Sequence, residues 1–261
     1  LLLVLGFACL IFATSLASGS GWTSAPVLLL FLASLLALAL FCRCSLRAQT
    51  PLINLRVFRR GPFTFSVLVL VLIQFVCLGL GFLIPNYAQI VSRQEAFLAG
   101  CLLLPGCLVG AVLSPVSGRV LDRLGPERPI LLGNLSILVS LVCFSLFAGA
   151  LTTGAFLVVY LFFAFGQGFS GGPSMTTGRS HLPPEQNPDG NAVINTLQQL
   201  AGAIGTSVVS TMVASAQAAL PEDLAAATRL GSQHAFYLLA VLTVGILCCS
   251  IGAFRTGRKS R

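Results

Sequence analysis

Residues 118–129 read Gly118-Arg119-Val120-Leu121-Asp122-Arg123-Leu124-Gly125-Pro126-Glu127-Arg128-Pro129. This segment, called the charged island below, holds five of the chain's 22 charged residues, of which 15 are basic and 7 acidic. Apolar stretches long enough to cross a bilayer flank it, over residues 96–117 and 129–149. Gly118 and Gly125 bracket most of the charges and permit close backbone approach and a tight reversal. The pattern therefore predicts a short charged turn that joins two membrane helices.

The composition of the whole chain is that of an integral membrane protein. Hydrophobic residues make up 56% of the 261 residues, charged residues only 8%, and the mean hydropathy is +0.94. A soluble domain carries about 25% charged residues. The apolar runs are continuous, which predicts helices, whereas strands of a membrane barrel alternate polar and apolar residues. The runs predict an all-α protein with eight transmembrane helices, at residues 1–18, 25–42, 63–85, 96–117, 129–149, 152–173, 191–214 and 234–254.

The connections between these spans differ in their content of basic residues. Every second connection, together with the tail at 255–261, is rich in arginine and lysine, and these segments hold 13 of the 15 basic residues. The intervening connections carry only Arg93 and Arg229. The positive-inside rule then places both chain ends and the charged island in the cytoplasm. An error in the number of spans would have disturbed this alternation.

Other classes of function receive little support from the sequence. The net charge of +8 does not indicate nucleic-acid binding, because the basic residues fall at segment ends and form no stripe with interleaved aromatic residues. The nine cysteines lie mostly inside apolar runs, without a CxxC pattern or a cluster with histidine, so we expect no metal site and no cofactor. An intramembrane enzyme would need paired aspartates, a serine–histidine pair or a metal cluster within the spans. His181 and His234 lie at predicted membrane edges, so no enzyme is expected.

The sequences of two connections predict their local structure. In the stretch 50–60, Thr50 can cap a helix, Pro51 suits its first position, and Leu52, Leu55 and Phe58 recur on one face. This pattern predicts a short amphipathic helix on the inner leaflet, which connects two blocks of transmembrane helices. The stretch 181–190 contains three prolines and predicts a turn that is not helical throughout.

The charged island admits two interpretations. Asp122 can face the positive N-terminus of the following helix and pair with Arg119, Arg123 or Arg128. Such a cluster at a joint between helices forms a latch that is intact in one packing arrangement and broken in another. The alternative is a solvated turn whose arginines only set the membrane topology.

Uncharged polar residues inside the spans are candidates for a cavity. Asn191, Asn195, Gln198, Gly202 and Gly205 follow spacings of 4, 3, 4 and 3, which place them on one helix face. A polar, small-residue face can line an aqueous cavity or hold two helices together, and we favour a cavity for Asn195 and Gln198. The candidate cavity-lining residues are Gln74, Tyr87, Gln167, Asn195 and Gln198. Gln167 lies in the glycine-rich run 166–173, where helices can approach closely or bend.

The sequence motif of the charged island also resembles that of a known family. The pattern Gly118-x-x-x-Asp122-Arg123-x-Gly125-x-x-Arg128 closely resembles the cytoplasmic-loop signature of the major facilitator superfamily. Further stretches are similar to its fourteen-span drug:proton antiporters, the EmrB/QacA-like group: Pro51–Arg59, Pro85–Gln89, Leu104–Gly106, Ser114–Gly118 and Gln198–Thr206. The loop signature is fairly specific to the superfamily, and the combination is fairly specific to the group.

The resemblance implies a domain organisation and a function. Residues 1–42 would be an extra transmembrane helix pair, 43–61 the cytoplasmic amphipathic connector, 62–254 the C-terminal six-helix bundle, and 255–261 a basic cytoplasmic tail. The chain would be the C-terminal part of a secondary transporter in the plasma membrane, which exports drugs or antibiotics in exchange for protons by alternating access. A six-helix N-terminal half would complete it, and its partners would be the bilayer and a small lipophilic substrate.

The same resemblance assigns the latch to Gly118, Arg119, Asp122, Arg123, Gly125 and Arg128. No Asp, Glu, Lys or Arg lies deep in a predicted span, so a proton-linked carboxylate would belong to the absent half. Two alternatives remain open: a carrier for another small solute, since a fold does not fix a substrate, and a truncated membrane fragment that does not transport.

Overall fold

A computed structural model describes residues 2–21, 24–47, 54–147 and 153–259 of the chain. In these ranges the backbone forms nine α-helices and two short 3₁₀ helices, and no strand. The α-helices are α1 (Leu2–Ser20), α2 (Ala25–Arg47), α3 (Gly61–Ile90), α4 (Ala96–Cys101), α5 (Leu104–Leu124), α6 (Glu127–Phe147), α7 (Thr153–Ser180), α8 (Asn187–Ala219) and α9 (Leu224–Lys259). The prediction of an all-α membrane protein is confirmed.

Each of the eight predicted spans coincides with one of these helices or, for residues 96–117, with the pair α4 and α5. Within the described ranges, seven spans are long and apolar enough to cross a membrane, and α4 and α5 count together as one of them. The remaining predicted span is α1, whose apolar part, Leu2–Ala17, is shorter than the about 20 residues that usually cross a bilayer.

Several helices extend beyond the predicted spans. α7 passes through Pro173 and ends at Ser180, and α9 begins at Leu224, ten residues before the predicted span. Hydropathy marks only the part of a helix that lies in lipid, whereas the helix continues as long as its backbone hydrogen bonds do. The ends of these helices therefore project beyond the apolar layer.

α3 is the central helix of the arrangement. It packs against α7, α8 and α9, while α6 packs against α7 and α9, and α5 packs chiefly against α7. The main apolar core lies where these helices meet and contains Val76, Leu80, Leu141, Phe144 and Phe236, all fully buried. Phe144 stacks on Phe236 with ring centroids 5.1 Å apart. The core therefore joins α3, α6 and α9 directly.

The helix pair α1–α2 packs onto the other helices through α8. The Ser34 hydroxyl of α2 donates a hydrogen bond to the Gly6 carbonyl of α1 at 2.8 Å. The Ser207 hydroxyl of α8 donates to the Thr14 carbonyl of α1. A hydroxyl group inside the membrane has no water to bond, so it needs a partner in the protein. These two contacts supply that partner for the hydroxyl groups of Ser34 and Ser207.

The connector between α2 and α3 is described only from Asn54 onward. Leu55–Arg59 form a 3₁₀ helix, and the Asn54 side chain caps it by accepting a hydrogen bond from the Arg56 amide at 3.1 Å. Val57 is fully buried against the second apolar cluster, and Phe58 is half-buried. The predicted cap Thr50 and the residues Pro51 and Leu52 lie outside the described residues.

Candidate functional site

The charged island folds mostly as helix. α5 continues to Leu124, Gly125 reverses the chain with φ +76°, and α6 begins at Glu127. A residue with a side chain rarely adopts such a positive φ, so Gly125 fits the turn that the sequence predicts. Gly118 was expected to permit close backbone approach and a tight reversal as well. This prediction was wrong, because Gly118 lies inside α5 and a Cβ added there would meet no neighbouring atom within 4 Å. The reversal needs only Gly125 and Pro126.

The charged side chains of the island point outward. Arg119, Asp122, Arg123 and Arg128 are all exposed, and none of them forms an ion pair within the part of the chain that the structure describes. The predicted pairing of Asp122 with an arginine is therefore absent from this conformation. Water solvates each of these groups well, so an exposed pair would gain at most about 1 kcal/mol.

A cleft opens beside the island. Its volume is about 480 Å³, and the ends of five helices form its walls: α3, α5, α6, α7 and α9. Asp122, Glu127 and Arg128 line it together with His181 at the end of α7. The Nδ1 atom of His181 lies 2.8 Å from the Thr177 carbonyl oxygen, which holds the ring against its own helix. The cleft thus has titratable groups of both signs in its lining.

The polar and small face predicted on α8 divides into two parts. An added Cβ at Gly202 would lie 2.2 Å from the Leu78 side chain, and one at Gly205 would lie 2.5 Å from the Phe75 carbonyl oxygen. These two glycines therefore let α8 pack directly on α3. Asn195 is exposed and Gln198 is half-buried, so the polar part of the face remains accessible.

The other cavity candidates have different surroundings. Gln74 on α3 is half-buried near Gly202. The Gln167 amide nitrogen on α7 donates to the Cys77 sulfur of α3 at 3.1 Å, which links two helices. Tyr87 is only 1% exposed, and its ring centroid lies 4.8 Å from that of Phe156. The expectation that Tyr87 lines a cavity was therefore wrong for this conformation, because its large ring is part of the apolar core.

Sequence reasoning assigned no role to Asn134, which is fully buried in α6. Its amide nitrogen donates to the Ser250 hydroxyl of α9 at 2.7 Å, and its carbonyl oxygen accepts from the Ser170 hydroxyl of α7. This cluster of Asn134, Ser170 and Ser250 is called the polar clasp below. An asparagine inside an apolar span was the visible signal, but its two partners are 36 and 116 residues away in the sequence.

The polar clasp lies beside a very close contact between α6 and α7. An added Cβ at Gly133 would lie 2.6 Å from the Gly166 carbonyl oxygen, and one at Gly166 would lie 2.5 Å from the Gly133 carbonyl oxygen. The expected close approach in the glycine-rich run of α7 is thus present at Gly166. Both glycines are needed because backbone atoms oppose them on each side.

These features define a multi-pass α-helical membrane protein whose helices pack through small residues and polar contacts. A sequence profile described as the Major Facilitator Superfamily matches residues 1–206. The chain belongs to the major facilitator superfamily, and this membership indicates a transporter rather than an enzyme.

Curated relatives narrow the group within the superfamily. The chain is 36% identical to the lincomycin resistance protein LmrB of Listeria monocytogenes over 95% of its own residues, and 33% identical to LmrB of Bacillus subtilis over 97%. It is 28% identical to the multidrug export protein EmrB of Escherichia coli over 81% of its residues. The chain spans about half the length of these relatives: 55% of both LmrB proteins and 42% of EmrB. The resemblance to the C-terminal portion of the drug:proton antiporter group is confirmed.

Proposed function

We propose that the chain is the C-terminal part of an exporter that removes drugs or antibiotics from the cell in exchange for protons, by alternating access. The observation that carries this proposal is the identity of 36% to a lincomycin resistance protein, maintained over 95% of the chain. The protein would lie in the plasma membrane with the charged island and both ends of this chain in the cytoplasm, as the distribution of basic residues predicts.

The first test establishes the full coding sequence and then measures resistance. We expect the coding DNA upstream of Leu1 to continue in frame for about 200 residues with six more spans. The full-length protein should raise the inhibitory concentration of lincomycin in a bacterial host that lacks its own exporters. It should also lower the accumulation of radiolabelled lincomycin, and a protonophore should abolish that effect.

Three outcomes would contradict the proposal in different ways. Resistance that persists when the proton gradient is collapsed would contradict proton exchange. A full-length protein that is inserted but changes the accumulation of no drug tested would favour a carrier for another solute. A stop codon directly upstream of Leu1 would favour a truncated fragment that does not transport.

The free-energy cost of placing a polar group in lipid supports the proposed cavity residues. Asn195 is exposed on a helix that is otherwise apolar enough to cross the membrane. An amide group in hydrocarbon without a partner costs several kcal/mol, so this side of α8 should face water or another part of the protein. We propose that Gln74, Gln167, Asn195 and Gln198 line the same cavity.

The latch residues are the second element of the mechanism. Asp122 is exposed and without an ion-pair partner in the described part of the chain, and it borders the cleft at the chain reversal. A charge in this position is available to a partner in the other state of a transporter, and its pairing would stabilise one state over the other. Gly125 supplies the reversal, and Gly118, Arg119, Arg123 and Arg128 complete the group proposed by resemblance.

A substitution that removes only the charge tests the latch. Asp122→Asn in the full-length protein should impair drug efflux while membrane insertion stays unchanged, because the amide keeps the shape and loses the ion pair. Glu222→Gln, at an exposed position between α8 and α9, is the matched control and should leave efflux unchanged. Normal efflux by Asp122→Asn at equal expression would rule the latch out.

A further inference from the structure

The surface of α5, α6 and α7 carries an apolar groove that is separate from the cleft at the charged island. Its volume is about 540 Å³, and residues of α5, α6 and α7 line it. It is lined by Val109, Leu132, Leu135, Ser136, Val139, Leu161, Phe162 and Phe165. The polar side chain in this lining, Ser136, donates its hydroxyl to the Phe162 carbonyl at 2.8 Å, so the groove surface itself is apolar.

The groove follows one face of α6 into the membrane. Leu132, Leu135 and Val139 are 48–55% exposed and follow spacings of 3 and 4, which place them on one helix face. Arg128 precedes Leu132 by four residues and lies on the same face. At a rise of 1.5 Å per residue, the groove runs from about 6 Å to about 17 Å beyond Arg128. The groove is therefore about 11 Å long, shorter than the about 15 Å hydrocarbon layer of one leaflet, so it can hold part of an acyl chain.

Two arginines lie beyond the Leu132 end of the groove, outside its lining. Arg123 in the last turn of α5 and Arg128 in the first turn of α6 are separated only by the tight turn at Gly125. Both side chains are exposed and neither forms an ion pair within the described residues. The island's acidic residues, Asp122 and Glu127, line the cleft, which Arg128 also borders. The island's three basic and two acidic residues thus leave a net charge of +1 next to the groove.

We propose that this groove binds an anionic phospholipid of the cytoplasmic leaflet, with its phosphate at Arg123 and Arg128 and one acyl chain in the groove. The apolar lining matches a hydrocarbon tail, and a guanidinium group binds phosphate through two parallel hydrogen bonds. A neutral lipid would fill the groove equally well but would leave a net positive charge beside it. At about 1 kcal/mol for each unit of positive charge near an anionic lipid, the island's net charge of +1 gives a preference of about fivefold over a neutral lipid.

The test counts the lipids that stay bound to the protein. The full-length protein is purified from nanodiscs that contain equal amounts of phosphatidylglycerol and phosphatidylcholine with identical acyl chains, and native mass spectrometry resolves the lipids retained. We expect phosphatidylglycerol to be retained about fivefold more than phosphatidylcholine. Arg128→Gln should remove most of this preference, and Val139→Trp, which fills the groove, should reduce retention of the tightly bound lipid.

Matched variants control for charge and bulk elsewhere. Arg255→Gln changes an exposed arginine at the end of α9, and Val241→Trp enlarges a valine that is 68% exposed on the same helix. Neither should change lipid retention. Leu135→Trp fills the groove at a second place and should repeat the result of Val139→Trp if that variant folds poorly.

Two results would overturn the proposal. Equal retention of the two lipids by the unsubstituted protein would exclude a site for an anionic headgroup. Unchanged retention in both Val139→Trp and Leu135→Trp would show that no acyl chain occupies the groove, as expected if another segment of the protein covers it or if the arginines attract lipids only from the surface.

Discussion

The contact between Gly133 and Gly166 offers the sharpest test of the structure. In Gly166→Ala, the new Cβ would lie 2.5 Å from the Gly133 carbonyl oxygen and 2.8 Å from the Ile137 amide nitrogen. Real Cβ atoms do not approach other atoms so closely, and both of these are backbone atoms of α6. No side chain can rotate away to relieve the clash, so α6 and α7 must separate.

The cost can be estimated from two opposing effects. Overpacking in a tightly packed core costs about 1–3 kcal/mol, and the upper end applies here because rigid backbone opposes the methyl group. The replacement of glycine by alanine in a helix returns up to about 1 kcal/mol of helix propensity. We therefore expect Gly166→Ala to lower the free energy of unfolding by about 2 kcal/mol.

The same helix contains a matched control. An added Cβ at Gly171 meets no atom within 4 Å, so Gly171→Ala gains helix propensity without a clash. The assay is the loss of monodisperse full-length protein on heating in detergent, followed by fluorescence-detected size-exclusion chromatography. Gly166→Ala should unfold at a lower temperature than the unsubstituted protein, and Gly171→Ala at the same or a higher one. Equal behaviour of the two variants would refute the close approach of α6 and α7.

Three further substitutions test other contacts. Asn134→Leu removes both hydrogen bonds of the polar clasp and leaves the Ser170 hydroxyl unpaired. At roughly 0.6 kcal/mol per bond plus the cost of that hydroxyl, it should destabilise the protein by about 1–2 kcal/mol. An unchanged unfolding temperature in the same heating assay would contradict the clasp. Ser207→Ala removes the hydrogen bond between α8 and α1 and should increase proteolysis between α1 and the other helices, with little change if α1 does not pack there. Gln198→Ala should change the order of drugs exported more than the amount of folded protein, whereas Gln217→Ala, which removes a hydrogen bond to Thr228, should change only the latter.

The positions of the spans could be predicted because lipid imposes a strong rule on sequence. A segment that crosses the hydrocarbon layer must be apolar and helical, so continuous apolar runs locate the helices well. The ends of α7 and α9 could not be predicted in the same way, since beyond the lipid only backbone hydrogen bonds and local caps decide where a helix stops. Pro173 illustrates the difference, because it lies inside α7 without ending it.

Less of the candidate site than of the fold could be predicted, because several of its residues contact partners that are distant in the sequence. Gly125 has a positive φ that a local turn requires, so its role could be inferred from neighbouring residues. Tyr87 was expected to line a cavity, but Phe156, whose ring contacts its own, lies 69 residues further along the chain, where a local sequence pattern could not reveal it. The bonds of Asn134 to Ser170 and Ser250 were hidden for the same reason.

The distribution of burial among the helices indicates where the second half proposed above would bind. In the described structure, about half of the membrane window of α3 is buried, whereas the corresponding window of α4 and α5 is only 17% buried. Lipid tails can cover the apolar residues of α5, but they cannot solvate Arg119 and Asp122 at its end or the exposed amide of Asn195 on α8. These polar groups need water or a protein partner. If the proposed second half covered part of α5 and enclosed water against α8, it would satisfy both requirements.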